Sequence, residues 1–130
     1  MFEKIKCFIL DMDGTIYLGN ELFPFTKDFL KKVEDTGREY YFFTNNSSKS
    51  QQAYIEKLAR LGIQIKKEQM MISSHVIIKY LKEYYDKKSI YVVGTPSLIQ
   101  EFESFDMNLT EEDPDIVVLG FDTTLTYEKL

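Results

Sequence analysis

The 130-residue sequence has no tryptophan, one cysteine, one histidine and three prolines. A single cysteine excludes an internal disulfide and any cysteine-based zinc cluster. Cys7, inside the first apolar run, therefore reads as a small buried hydrophobe in a reduced setting. The lone histidine, His75, falls in the first turn of an expected helix, a position usually on the surface, and it receives no role. Long hydrophobic runs are missing as well. No segment approaches the length of a membrane span, and the apolar stretch after Lys4 and Lys6 is too short for a signal-peptide core, so a cytoplasmic location without membrane contact is expected. Positive charge is scarce, with 16 Lys and Arg against 21 Asp and Glu for a net charge of −5. Basic residues come only in short pairs such as Lys31-Lys32 and Lys87-Lys88, which disfavours nucleic acid as a partner. Without tryptophan, the nine Tyr and ten Phe read as core filling rather than a stacking surface for bases.

With 44% hydrophobic residues, the chain has enough apolar material for one domain of ordinary size. Its first apolar run, Cys7-Phe8-Ile9-Leu10, stops at Asp11-Met12-Asp13-Gly14-Thr15. A run bounded by a turn signal reads as a buried strand of an α/β protein, and open parallel sheets bind ligands beyond the carboxyl ends of their strands. The period of two in a strand puts Asp11 and Asp13 on one side and Met12 on the other. Two close carboxylates call for a hard cation such as Mg²⁺ between them, or for one acid ionised and one protonated. Phosphoryl transfer uses both arrangements, with one carboxylate attacking phosphorus and a second moving protons. Gly14 lets the backbone turn tightly enough to aim its N–H groups at an anion. Spacing alone leaves open the plainer alternative that two acids begin a solvated loop.

Downstream, Ile16 to Glu21 is a turn-rich stretch suited to a flap over the site, closed by Pro24. Thr26 is placed to cap a helix carrying Phe25, Phe29, Leu30 and Val33 at helical spacing, with Gly37 as its stop. Tyr40 to Phe43 reads as a second strand. It ends in Thr44-Asn45-Asn46-Ser47-Ser48, ahead of a helix from Ser50 to Arg60 that Gly62 terminates. Helix N-termini attract anions, so a phosphate can rest there, although such residues also make ordinary capping loops. Met70 to Ser73 is a short strand, and the next helix is expected to present Val76, Ile77, Tyr80, Leu81 and Tyr84 on one face. Ile90–Val93 and Asp115–Leu119 read as further strands, separated by a helix over Ser97–Phe105, and Thr126 as the cap of a helix barely begun. Strands alternating with helices argue for parallel α/β architecture.

Asp11-Met12-Asp13-Gly14-Thr15-Ile16 resembles the first motif of the haloacid dehalogenase superfamily, and Thr44-Asn45-Asn46-Ser47-Ser48 the second motif of its NagD-like, p-nitrophenylphosphatase branch. Val92-Val93-Gly94-Thr95 and Val118-Leu119-Gly120-Phe121-Asp122 are similar to that branch in order and spacing. The resemblance implies a Rossmann-like, three-layer α/β/α core. Residues 1–77 form its first half and residues 78–130 begin an inserted α/β cap domain. It makes Asp11 the nucleophile and a Mg²⁺ ligand. Asp13 becomes the general acid/base, its carbonyl also on the metal. Thr44, Asn45 and Gly14 hold the phosphoryl group, and Thr15 and Asn46 support the site. The substrate class implied is a small phosphorylated metabolite.

The family's third motif, a lysine, and its fourth, an acidic pair, follow the cap and are absent from these residues. Lys49 cannot be moved into that role by family order. A truncated, impaired phosphatase follows, with self-association through an incomplete cap. Two alternatives remain. One is a non-catalytic phosphate-binding remnant acting through oligomerisation. The other is a receiver-like phospho-acceptor domain, which the order of the acids opposes.

Overall fold

A computed structural model of the chain describes residues 3–130. The fold is of the expected α/β class, with parallel strand pairing. Contacts divide it into two compact units. One holds the residues up to Thr44 together with Gln51–Met71, and the other holds Asn45–Ser50 together with Ile72–Leu130. Residues 72–77, expected with the first half of the core, thus group with the second unit.

In the first unit, β1 (Cys7–Leu10) runs parallel to β4 (Glu39–Thr44) in a register pairing Cys7 with Glu39 and Leu10 with Phe42. Between them in sequence come the antiparallel hairpin of β2 (Tyr17–Leu18) and β3 (Glu21–Leu22), then α1 (Thr26–Asp35). After α2 (Gln51–Arg60), β5 (Met70–Ile72) completes the sheet in the order β1-β4-β5. The middle strand is the buried one, with Tyr40, Phe42 and Thr44 all inside. β1 lies at the edge and is not a buried strand: Ile9 is 75% exposed and Cys7 is an exposed free thiol. The expected burial of Cys7 is corrected: Cys7 and Ile9, two residues apart, share one face of β1, and that face is exposed.

The core stripe of α1 is Thr26, Leu30 and Val33, at spacings of four and three. Phe25 and Phe29 were expected in it and are exposed instead. Thr26 does not cap the helix. Its buried hydroxyl donates to the Ile16 carbonyl at 2.7 Å and pins the helix start to the loop before β2. The helix ends as the sequence predicts, with Gly37 at φ +67 and the Arg38 N–H returning to the Val33 carbonyl at 3.1 Å.

The second unit contains α3 (Ser73–Tyr84), β6 (Ile90–Val93), α4 (Pro96–Ser104) and β7 (Ile116–Leu119), with β6 and β7 parallel. Its core joins Ile78 and Leu81 of α3 to Ile90 and Val92 of β6 and Leu98 and Phe102 of α4. That cluster explains why α3 belongs here. It also corrects the expected helix face: the buried stripe is Ser74, Ile78 and Leu81, while Val76, Tyr80 and Tyr84 are exposed. His75 is likewise not a bare surface residue, since it pairs with Glu101 and meets the Phe105 ring edge-on. Thr95 caps α4 by accepting from the Leu98 N–H at 3.2 Å, with Pro96 at the first helical position. Thr126 precedes only a single 3₁₀ turn, Tyr127–Lys129.

Candidate active site

The site lies in the first unit, where β1 ends. Met12 is fully buried while Asp11 and Asp13 are exposed, so the backbone anchors the apolar residue and turns both carboxylates outward. The Met12 carbonyl gathers the N–H groups of Thr15 at 3.1 Å and Ile16 at 3.0 Å, closing a tight loop. Gly14 sits at φ +80, in the left-handed region that L side chains rarely adopt. Its N–H donates to the Tyr17 carbonyl at 2.8 Å. Loop closure thus uses that donor, and the turn that Gly14 allows sets the direction of the neighbouring N–H groups. Gly14 acts here through its dihedral angle.

Thr15 folds back over the same loop and its Oγ1 donates to Asp11 Oδ2 at 3.2 Å. One oxygen of Asp11 is thereby engaged and the carboxylate oriented. The stretch after the loop is less free than a flap: Ile16 and Tyr17 are buried at the base of the β2–β3 hairpin, and exposure begins at Leu18.

Thr44 ends β4, two residues beyond Phe42, whose register partner Leu10 directly precedes Asp11. Adjacent strands lie ~4.8 Å apart, so the motif acids and Thr44 leave the sheet at the same edge. Tyr54 of α2 connects them. Burial, then the nearby charge of Asp13, pushes its phenol up to about 12, while a hydrogen bond with Thr44 acts in the opposite direction. Tyr17 is also raised well above the ordinary tyrosine range, first by burial and then by Asp13. Both phenols therefore stay protonated beside the acids. In the second unit, the Asn46 side chain accepts from the Ser48 N–H at 3.0 Å, and the exposed Asn45 offers its carbonyl to Ser73 Oγ at 3.1 Å.

Lys57 is the residue that sequence reasoning missed. Its Nζ lies 3.9 Å from Asp13 Oδ1 and 3.7 Å from the Tyr17 ring centroid, and the side chain is only 13% exposed. In the sequence it looks like a last-turn lysine of α2, favourable for the helix dipole and otherwise ordinary. The available signal was its spacing of three from Tyr54, which places both on one face of the helix behind the Thr44 loop. Lys49, the lysine nearest the second motif, is exposed and belongs to the other unit.

Among the described residues no group of three or more His, Cys, Asp or Glu could hold a metal alone. The donors present are still of the right kind. Two hard carboxylates open to solvent suit Mg²⁺, which keeps several waters and commonly takes one or two protein carboxylates plus substrate oxygens. Asp11 and Asp13 fit such a partial site.

Residues 8–108 match the family of haloacid dehalogenase-like hydrolases. A 5'-nucleotidase, YutF of Bacillus subtilis, is 32% identical over 127 residues, covering 98% of this chain and 50% of its own length. Among solved structures, a 4-nitrophenylphosphatase from Thermotoga maritima matches with TM-score 0.92 at 40% identity, over 97% of this chain and 48% of that one. NagD from Escherichia coli K-12 matches with TM-score 0.83 at 26% identity, over 96% and 50% of the two chains. The chain spans about half the length of the curated relatives it matches. The match runs from the first motif acids through the Thr44 loop and onward to β6 and α4, and by it this chain belongs to the haloacid dehalogenase-like hydrolase family, as an N-terminal portion of the NagD-like kind.

Proposed function

We propose that the chain carries the nucleophile and proton-transfer half of a Mg²⁺-dependent phosphoric monoester hydrolase acting on small organic phosphates. The observation that carries this reading is the outward-facing Asp11 and Asp13 at the β1 end, with Asp11 Oδ2 held by Thr15. The 5'-nucleotidase and 4-nitrophenylphosphatase named above support the substrate class.

Asp11 Oδ1, the oxygen not engaged by Thr15, attacks phosphorus, and the P–O bond to the leaving alcohol breaks. Asp13 gives its proton to the departing oxygen, then takes one from water as that water attacks the aspartyl phosphate and releases phosphate. Thr44, with Asn45 following it, holds the phosphoryl oxygens. Bound at the Asp11 carboxylate and the Asp13 carbonyl, Mg²⁺ would supply charge neutralisation for the transferring group. The protein's share is positioning and electrostatics.

The test is hydrolysis of p-nitrophenyl phosphate with Mg²⁺ by the 130-residue chain and by Asp11→Asn. Turnover below the ordinary range of about 1 to 10³ s⁻¹ is expected, because the family's lysine and second acidic pair are not among these residues. Asp11→Asn should reduce it to background. Equal turnover by the two proteins removes Asp11 as nucleophile. Phosphate binding without turnover instead favours a non-catalytic remnant.

A further inference from the structure

We infer that Lys57 is a positioning residue of this site, the chain's own cation for Asp13. This rests on the phosphatase reading and deepens it. Three observations converge. The Lys57 Nζ is 3.9 Å from Asp13 Oδ1. It sits 3.7 Å over the Tyr17 ring, a contact that fixes an ammonium group against an aromatic face. Its side chain is 13% exposed, far more enclosed than the 51% of Asp13, so the cation is held from behind while the acid keeps its open side.

A long flexible lysine is seldom immobilised at an exposed carboxylate, since ordering it costs side-chain entropy and water screens the attraction. Here the Tyr17 ring, itself fully buried at the hairpin base, provides the second attachment. Tyr54, three residues earlier on α2, is buried within the influence of Asp13 and bonded to Thr44, so the same helix face braces both motifs. The arrangement limits where the Asp13 carboxylate can swing and reduces the repulsion between two acids in one small site. Lys57 thus acts on the reaction through Asp13. It does not need to touch the substrate.

The experiment compares the unmodified chain with Lys57→Met and Lys57→Arg. Magnesium affinity is measured by calorimetry without substrate, turnover with p-nitrophenyl phosphate, and folding by thermal melting. Removing a cation beside the acids should tighten Mg²⁺ binding by about three- to tenfold in Lys57→Met, whereas Lys57→Arg should bind as the unmodified chain does. In the same Met variant kcat should fall about tenfold with KM changed less than about threefold, and Arg should recover most of the loss. Tighter metal with slower turnover is a combination that general loosening of the fold does not produce. Unchanged magnesium affinity in Lys57→Met, or an Arg variant that behaves like Met, overturns the inference. If the unmodified chain shows no turnover, the phosphatase reading falls, and the calorimetric comparison still decides Lys57. Should Lys57→Met fail to fold, the Arg variant decides: weakened or tightened magnesium binding with charge retained counts against it.

Discussion

At the scale of single residues, burial and charge separate side chains that the sequence makes look alike. Two aspartates illustrate this. Asp11 accepts from one hydroxyl and is otherwise open to solvent. Asp115, at the start of β7, accepts from the Ser89 N–H at 2.9 Å, from Ser89 Oγ at 3.0 Å and from Lys88 Nζ at 2.9 Å. The Ser89 amide first, then Lys88 and the Ser89 hydroxyl, hold its carboxyl down at about 2, below the ordinary 3.8. A carboxyl whose folded-state pKa is depressed stabilises the fold above its unfolded value and loses that contribution as pH falls through the folded one. The advantage of the native chain over Asp115→Asn in urea unfolding should therefore be full near neutrality and shrink between about pH 4 and pH 2. A gap that stays constant across that window would show that the ionised carboxylate is not what Ser89 and Lys88 recognise.

At the scale of elements, α3 separates helical periodicity from helical facing. Its apolar and aromatic residues are dense enough to draw more than one stripe, and large aromatics pull the eye toward Tyr80 and Tyr84. Those rings instead lie against each other at 4.9 Å outside the core, and Ile78 and Leu81 enter it. Truncating Ile78 to alanine should cost about 2–5 kcal/mol, because it removes buried methyl groups and leaves a cavity. Val76→Ala, on the exposed side, should stay within about 0.5 kcal/mol. Chemical denaturation of both variants checks this, and comparable losses would assign the core to the other stripe. The same holds for strands: four consecutive residues suited to burial form the edge strand β1, which leaves Cys7 and Ile9 exposed, while its partner β4 buries Tyr40, Phe42 and Thr44.

At the scale of the whole molecule, apolar surface stays open. β7 exposes Val117 at 60% and Leu119 at 71%, and a cavity of about 570 Å³ beside it is lined by Ile77, Leu81, Phe102 and Val118 among others. Parallel sheets are ordinarily covered on both faces, and an uncharged strand edge invites pairing. Concentration-dependent self-association of the 130-residue chain is expected in sedimentation velocity, weakened by Leu119→Lys. A clean monomer at high concentration would count against it.

The sequence by itself determined the alternation of strands and helices, the helix ends at Gly37 and Gly62, and the two polar clusters at residues 11–15 and 44–48 that follow strands. These are local matters: left-handed stops, capping, period-two alternation and short-range polar clusters are written in neighbouring residues. Asp11 and Asp13 lie just past the end of β1 at Leu10, exposed on either side of the buried Met12. The tertiary structure decided what depends on partners distant in sequence. It spent the Gly14 N–H on Tyr17, pinned Thr26 to Ile16, left Cys7 and Ile9 on an edge and paired His75 with Glu101. It also brought Lys57 to Asp13 across 44 positions of chain. No periodicity encodes such a contact, because the approach of α2 to the β1 loop is set by how Tyr17 and Tyr54 fill the core between them.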